Sequence, residues 1–227
     1  MKKILVLGCL LMFAVGLFGQ DATSKGNEGC VIRGVLDGVY KGKKVYLVEE
    51  EEINGTSKVV DSCDVENNRY TFNIKDVRVP KMYFVKSSDP ESLSPITPVW
   101  VENGTVRVKA NSEFFLNCDV SGTANNEIFS AYNAEVRHIM DSVRRAANID
   151  ILLNRNQTDK DRERDFKART NLHNQRSLKL QEELVNRYND QAIAPFMIFW
   201  EMKANVSLDK LKELRAVVDP CLNDHPY

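Results

Sequence analysis

The sequence predicts an α+β fold: an N-terminal antiparallel β-sandwich or barrel of about eight strands over residues 28–122, then a helical region of about four helices over residues 125–225. Three observations carry that reading. Apolar residues alternate at period two from Cys30 to Ser121, and from Asn125 onward they recur at steps of three and four. Asn-rich turns punctuate the first stretch, whereas capping residues punctuate the second. With 43% hydrophobic and 28% charged residues, the 227-residue chain can bury ordinary cores.

Ahead of both regions stands MKKILVLGCLLMFAVGLFG, residues 1–19. Lys2 and Lys3 precede an apolar run from Ile4 to Phe18, and small Gly16 and Gly19 close it before polar Gln20, which is the pattern of a secretory signal peptide. Cleavage is expected after Gly19, with Gly16 as the alternative. The segment Val6-Leu7-Gly8-Cys9 resembles a lipobox that would anchor the chain through Cys9, but only about four apolar residues precede Gly8, fewer than the usual apolar core of a signal. The apolar run of about fifteen residues falls short of the roughly twenty needed to span a bilayer, and no second one follows. The expected location is therefore outside the cytoplasm, in the periplasm or at the outer membrane, with no transmembrane helix.

Loss of the leader removes two of 31 basic residues and none of 32 acidic ones, leaving a charge of about −3 that gives nucleic acid nothing to bind. Cys30, Cys63, Cys118 and Cys221 remain. An even count in an exported chain makes all four disulfide candidates, with three possible connectivities that the sequence does not rank.

Within the first region, VYLV at 45–48, YTFNI at 70–74 and VRV at 106–108 alternate as strands do. Asn54-Gly55, Asn67-Asn68 and Asn103-Gly104 separate apolar segments and adopt positive φ at little cost, so each is expected to close a hairpin. Proline-rich 90–98 reads as a longer loop. Cys63 then lies on a strand that turns at Asn67-Asn68, where it serves as a small core residue or half of a staple. Asp61 and Asp64 beside it would disfavour a reactive thiolate.

In the second region Ile128, Phe129, Tyr132, Val136, Ile139, Met140 and Val143 define the first helix, with Asn125 or Asn126 as its cap. Thr158 and Asp161 form a capping box for a long second helix through about Tyr188. The apolar stripe of that helix is thin: Phe166, Leu180, Leu184 and Tyr188. Pro195 suits the first turn of a third, PFMIFWEMK, apolar nearly all round and so buried. Ser207 caps a fourth, with Leu208, Leu211, Leu214 and Val218 inward and Pro220 as its stop.

No catalytic, cofactor-binding or metal-binding set emerges from these residues. Glu49 to Glu52 point alternately to opposite faces of a strand and read as a solvated hairpin end. Cys221 and His225 have a C-x3-H spacing, but a structural zinc site wants four ligands, and His138 and His173 stand alone on helical segments. GVYKGKKV at 38–45 fails as a phosphate loop on spacing and on Lys44 where Ser or Thr should stand. No C-x-x-C, G-x-S-x-G or H-E-x-x-H occurs. Tyr83, Phe84 and Trp100 on candidate strands, and Phe196, Phe199 and Trp200 on the third helix, read as core filling before ligand contact.

Several of these patterns recur in a fixed order: VIRGVLDG at 31–38, GKKVYLV at 42–48, VVDSCDVENNRYTFNI at 59–74, VPKMYFV at 79–85, WVENGTVRV at 100–108 and VSGTANNEIFSAYN at 120–133. In that order they resemble domain of unknown function 4369, a Bacteroidetes envelope module that usually precedes a thioredoxin-like domain of the TlpA or AhpC/TSA type. The resemblance covers about the first half of the chain beyond the leader. IAPFMIFWEMKANVSLDKLKEL at 193–214 and the closing NDHPY look like the helices that connect such modules to the redox domain. A relative would continue past Tyr227 into a fold bearing C-x-x-C, so no residue here receives that redox chemistry, and a stand-alone form or a truncated gene is expected. The resulting expectation is a non-catalytic, exported cell-envelope module that binds a protein partner or small ligand. One alternative is an accessory to thiol–disulfide exchange that uses a reducible cysteine pair; a second is a glycan or lipid binder.

Overall fold

The computed structural model describes residues 29–51, 56–88, 96–111, 118–153 and 158–227. The leader with Gly19 and Cys9, and the Asn54-Gly55 turn, lie outside those residues. Among the described residues the fold is α+β: eight strands in two open sheets of four, with no closed barrel, followed by four helices. The strands are β1 (Gly29–Asp37), β2 (Lys44–Glu51), β3 (Thr56–Asp64), β4 (Arg69–Lys75), β5 (Lys81–Ser87), β6 (Ile96–Val101), β7 (Gly104–Asn111) and β8 (Cys118–Ser121). One sheet has the order β4-β1-β7-β8 and the other β3-β2-β5-β6.

Pairing is antiparallel as expected with one exception, β1 against β7, which run parallel from Cys30↔Gly104 to Asp37↔Asn111. That exception follows from the turns. Asn67 and Asn68 take φ of 51° and 59° and close a two-residue turn between Glu66 and Arg69, yet β3 and β4 on either side enter different sheets. Asn103-Gly104, with Gly104 at φ 130°, likewise joins β6 of one sheet to β7 of the other. Both are corners rather than hairpins, because turn residues fix local dihedrals and leave the partner of each outgoing strand open. Of the proline-rich stretch 90–98, expected as a loop, residues 90–95 lie outside the described residues and the remainder opens β6 at Ile96, with Pro98 opposite Phe84. Proline is tolerated there because β6 is an edge strand.

Two cores result. Between the sheets, alternate residues of each strand interlock: Ile32 and Leu36, Val45 and Leu47, Tyr70 and Phe72, Val85, Val99, Val106 and Val108. The second core lies on the outer face of the β3-β2-β5-β6 sheet, where Met82 and Trp100 meet helical residues including Phe196, Met197, Met202 and Leu214. Strand β6 is thus covered on both faces, which is why ITPVWV is apolar on successive residues. Trp100 is fully buried, and an indole of roughly 200 Å² contributes on the order of 5 kcal/mol of gross transfer free energy there.

The helices are α1 (Ala124–Leu153), α2 (Asp159–Arg187), α3 (Ile193–Phe196), continued by a π-helical segment (Met197–Met202), and α4 (Leu208–Val217). Asn125 and Asn126 do not cap α1; they lie inside its first turn, where Asn126 reaches back to β6 and Asn125 to Glu102 just after it. Thr158 and Asp161 do form the predicted capping box, and Ser207 accepts from the Lys210 N–H at the start of α4. Phe166 is 66% exposed, as its thin stripe implied, whereas Leu208, expected inward, is also 66% exposed because it stands in the first turn of α4, ahead of the buried Leu214. Pro195 sits in the third position of α3, and the expected regular third helix widens to π geometry from Met197. Among the described residues no helix is long and apolar enough to cross a membrane.

Candidate ligand-binding site

The residues singled out for chemistry do not converge. Cys30, Cys63 and Cys118 contribute to the sandwich core and Cys221 is exposed on a short 3-10 turn (Pro220–Leu222); all four are free thiols in the structure. Burial pushes the Cys63 thiol above its ordinary range, and Asp61 and Asp64 add to the effect. The Cys30 and Cys118 thiols are raised by burial as well, while that of Cys221 is raised first by its hydrogen bond to Asp219. Each shift works against the thiolate that exchange chemistry needs. His225 is turned away from metal binding, with Nε2 3.0 Å from the Pro80 carbonyl oxygen and Nδ1 accepting from the Tyr227 N–H at 3.4 Å. Glu49 of β2 pairs with Lys81 of β5 at 3.0 Å. Among the described residues no three His, Cys, Asp or Glu side chains stand close enough to hold a metal ion.

A groove in the helical region is the stronger candidate. Its construction begins with the chain end: Tyr227 accepts from the Met82 N–H at 2.9 Å, where β2 no longer pairs with β5, and stacks on Phe199 with centroids 6.2 Å apart. That contact holds residues 219–227 against the sheet and opens a channel of about 770 Å³ between them, the π segment and α4. Pro195, Ile198 and Phe199 form one wall, Leu211, Ala216 and Val218 the other, and Tyr227 the end. The size lies within the range typical of small-molecule sites, and the lining is mostly apolar, as such sites are.

Three cations edge this apolar channel: Lys203, Lys212 and Arg215. Lys203 Nζ lies 3.9 Å from the Phe199 ring centroid and 5.4 Å from that of Trp200, so the amine is held by aromatic faces at the mouth. Arg215 Nη2 donates to Asn223 Oδ1 at 2.7 Å, which fixes the guanidinium across the channel. No Asp or Glu side chain lines the groove; Asp209 reaches Lys212 only at 3.9 Å, in a pair open to water and hence screened. The lining also contains no His, Cys, Ser or Thr, and the one hydroxyl, that of Tyr227, is engaged with Met82. Apolar walls bordered by cations are the features that suit an amphipathic anion.

Of these residues, sequence reasoning had placed Phe199 among core aromatics and had not singled out the three cations. Lys212 and Arg215 stand three apart on α4 beside Leu211 and Ala216, so a cationic border along an apolar stripe was present in the spacing. What the spacing could not supply was the opposing wall.

In comparisons with known proteins, residues 30–129 match the family model described as Domain of unknown function (DUF4369). Searches of curated proteins and of solved structures each found no match. The matched span covers the sandwich and stops after the first turns of α1, just past Asn125 and Asn126. The groove therefore belongs to the part of the chain beyond the match.

Proposed function

Through residues 30–129 the chain belongs to the DUF4369 family, and from that premise we propose that the protein is a non-catalytic binding module of the cell envelope whose ligand seat is the groove that its helices add to the family domain. The ligand class we assign is an amphipathic organic anion: an acyl chain of lipid type with a carboxylate or phosphate head. One observation carries the reading, an apolar channel edged by Lys203, Lys212 and Arg215 with no Asp or Glu side chain in its lining. Apolar walls take the chain, and the cations offset the head-group charge that burial beside apolar surface would otherwise penalise. Export of the chain is part of the proposal and rests on the leader pattern of residues 1–19. A protein partner, first in the sequence reading, is supported less well by a groove of this volume than a small ligand is. The thiol-exchange alternative is weakened by the upward shift of all four thiols.

The test compares laurate with dodecanol, which share a chain and differ in charge, by intrinsic tryptophan fluorescence below their aggregation limits, since Trp200 flanks Lys203 at the mouth. Laurate is expected to bind saturably and about tenfold more tightly than dodecanol, as a charge-assisted contact contributes about 1.5–3 kcal/mol. The triple variant Lys203→Gln, Lys212→Gln, Arg215→Gln should abolish the preference while keeping the fold. Equal affinity for the two compounds, or an unchanged preference in the triple variant, overturns the proposal.

A further inference from the structure

Between α1, α2 and the π segment lies a second cavity, of about 390 Å³, richer in amides than the groove and without its cations. Its lining sets polar side chains beside Val136 and Leu178 and holds no Lys or Arg, and its one carboxylate is that of Glu201. The floor is arranged by a relay: Gln181 Nε2 donates to the Tyr132 hydroxyl at 2.9 Å, which in turn donates to Glu201 Oε2 at 3.4 Å. Gln181 and Tyr132 are both buried, so the relay is built into the packing of α2 on α1.

On the α2 side, His173 and Ser177 stand one turn apart and project to one face. His173 Nε2 and Ser177 Oγ are both buried, and neither has a hydrogen-bond partner. Ser177 as a whole is only 9% exposed. A buried hydroxyl without a partner costs about 1–3 kcal/mol; His173 and Ser177 both line the cavity, and rotation of either side chain would bring these atoms to an occupant. Asn171, Asn174 and Asn205 add amides around the same cavity.

We propose that this cavity is a binding site for a neutral polyhydroxylated ligand of mono- or disaccharide size. Every hydroxyl of such a ligand both donates and accepts, which matches a lining of amides, an imidazole, a hydroxyl and a carboxylate. An anion finds no cation here to receive it, and a purely apolar ligand would leave the polar atoms unmet. The volume admits one or two sugar rings. The site is independent of the groove reading. Phe199 and Lys203 of the π-helical stretch and the turn after it face the groove, whereas Glu201 and Asn205 face this cavity. The wider π turn, a feature often found at functional sites, serves both.

Calorimetric titration of the purified protein with glucose, galactose, mannose, N-acetylglucosamine and maltose tests the proposal, with ethanolamine as a cationic probe of Glu201. At least one sugar is expected to bind saturably, unaffected by laurate, and Ser177→Ala and Asn174→Ala should each raise its Kd about tenfold. Ser177→Ala should leave the melting temperature of the free protein unchanged or higher, because it removes a hydroxyl that has no partner in the folded state. Absence of saturable binding by every sugar, binding of ethanolamine in their place, an unchanged Kd in Ser177→Ala, or displacement by laurate would each overturn it.

Discussion

Tyr70 crosses from β4 over Gly34 of β1, where an added Cβ would lie 1.9 Å from the phenol ring, and its hydroxyl is buried without a partner. Burial also pushes that hydroxyl far above the ordinary tyrosine range, so it stays protonated. Tyr70→Phe should therefore stabilise the protein by about 1 kcal/mol in urea unfolding, since it deletes an unpaid polar burial and keeps the ring. A fall in stability would mean that the hydroxyl is satisfied in solution. His225 gives a second residue-level expectation. Burial, helped by Lys81, lowers its pKa below the ordinary value of 6.5, against the smaller raising effect of the Pro80 bond. The folded state thus favours neutral imidazole, with Nδ1 free to accept from Tyr227. The contribution is complete above about pH 6.5 and is lost as pH falls through that value towards the lower folded pKa, because the unfolded chain takes up the proton first. Urea midpoints of the native protein should fall more between pH 7.5 and 5.5 than those of His225→Gln; parallel falls would remove the assignment.

At the scale of elements, what a few neighbouring residues decide was legible and what two distant segments decide was not. The Thr158–Asp161 capping box and the Ser207 cap were readable because donor, acceptor and spacing all lie within four residues. Strand alternation in β1, β4 and β7 was readable because one face of each meets the core. The parallel β1–β7 pair, the two corners and the role of Asn126 were not, since each depends on which segment arrives from elsewhere. The π segment hid for another reason: its residues are apolar nearly all round, so no stripe revealed a change of pitch. Of the groove, the α4 border was written in the sequence and the opposing wall was not. Ser207→Ala should cost about 1 kcal/mol, the usual loss for a missing N-cap, and because α4 supplies one wall it should also weaken laurate binding. Unfolding and titration on the same variant check both; an intact urea midpoint would show that packing of Leu214, not the cap, holds the helix.

At the scale of the whole molecule, the open question is whether sandwich and helices unfold together. The contacts between them argue that they do. Strand β6 is the free edge of its sheet, and Asn126 meets it as a strand would: Oδ1 accepts from the Trp100 N–H at 2.9 Å and Nδ2 donates to the Trp100 carbonyl at 2.8 Å. Beside it, Asn125 donates from its backbone and side chain to both oxygens of buried Glu102, at 2.8 and 2.7 Å, and accepts from the Ile193 N–H at 3.0 Å. Strand β6, α1 and α3 thereby share one polar junction beneath the Trp100 indole. If the helices left, Trp100 and Met82 would face water and the edge of β6 would lose its partner, so neither half has a stable boundary at that face. Thermal unfolding followed by tryptophan fluorescence and by far-ultraviolet dichroism should accordingly show a single coincident transition. Asn126→Ala strands two buried backbone groups at once and should lower stability by about 2–4 kcal/mol while keeping the transition single, because Asn125 still ties the halves together. Two separated transitions in the native protein would show that the junction is a surface contact, and the groove would then be a property of the helices alone.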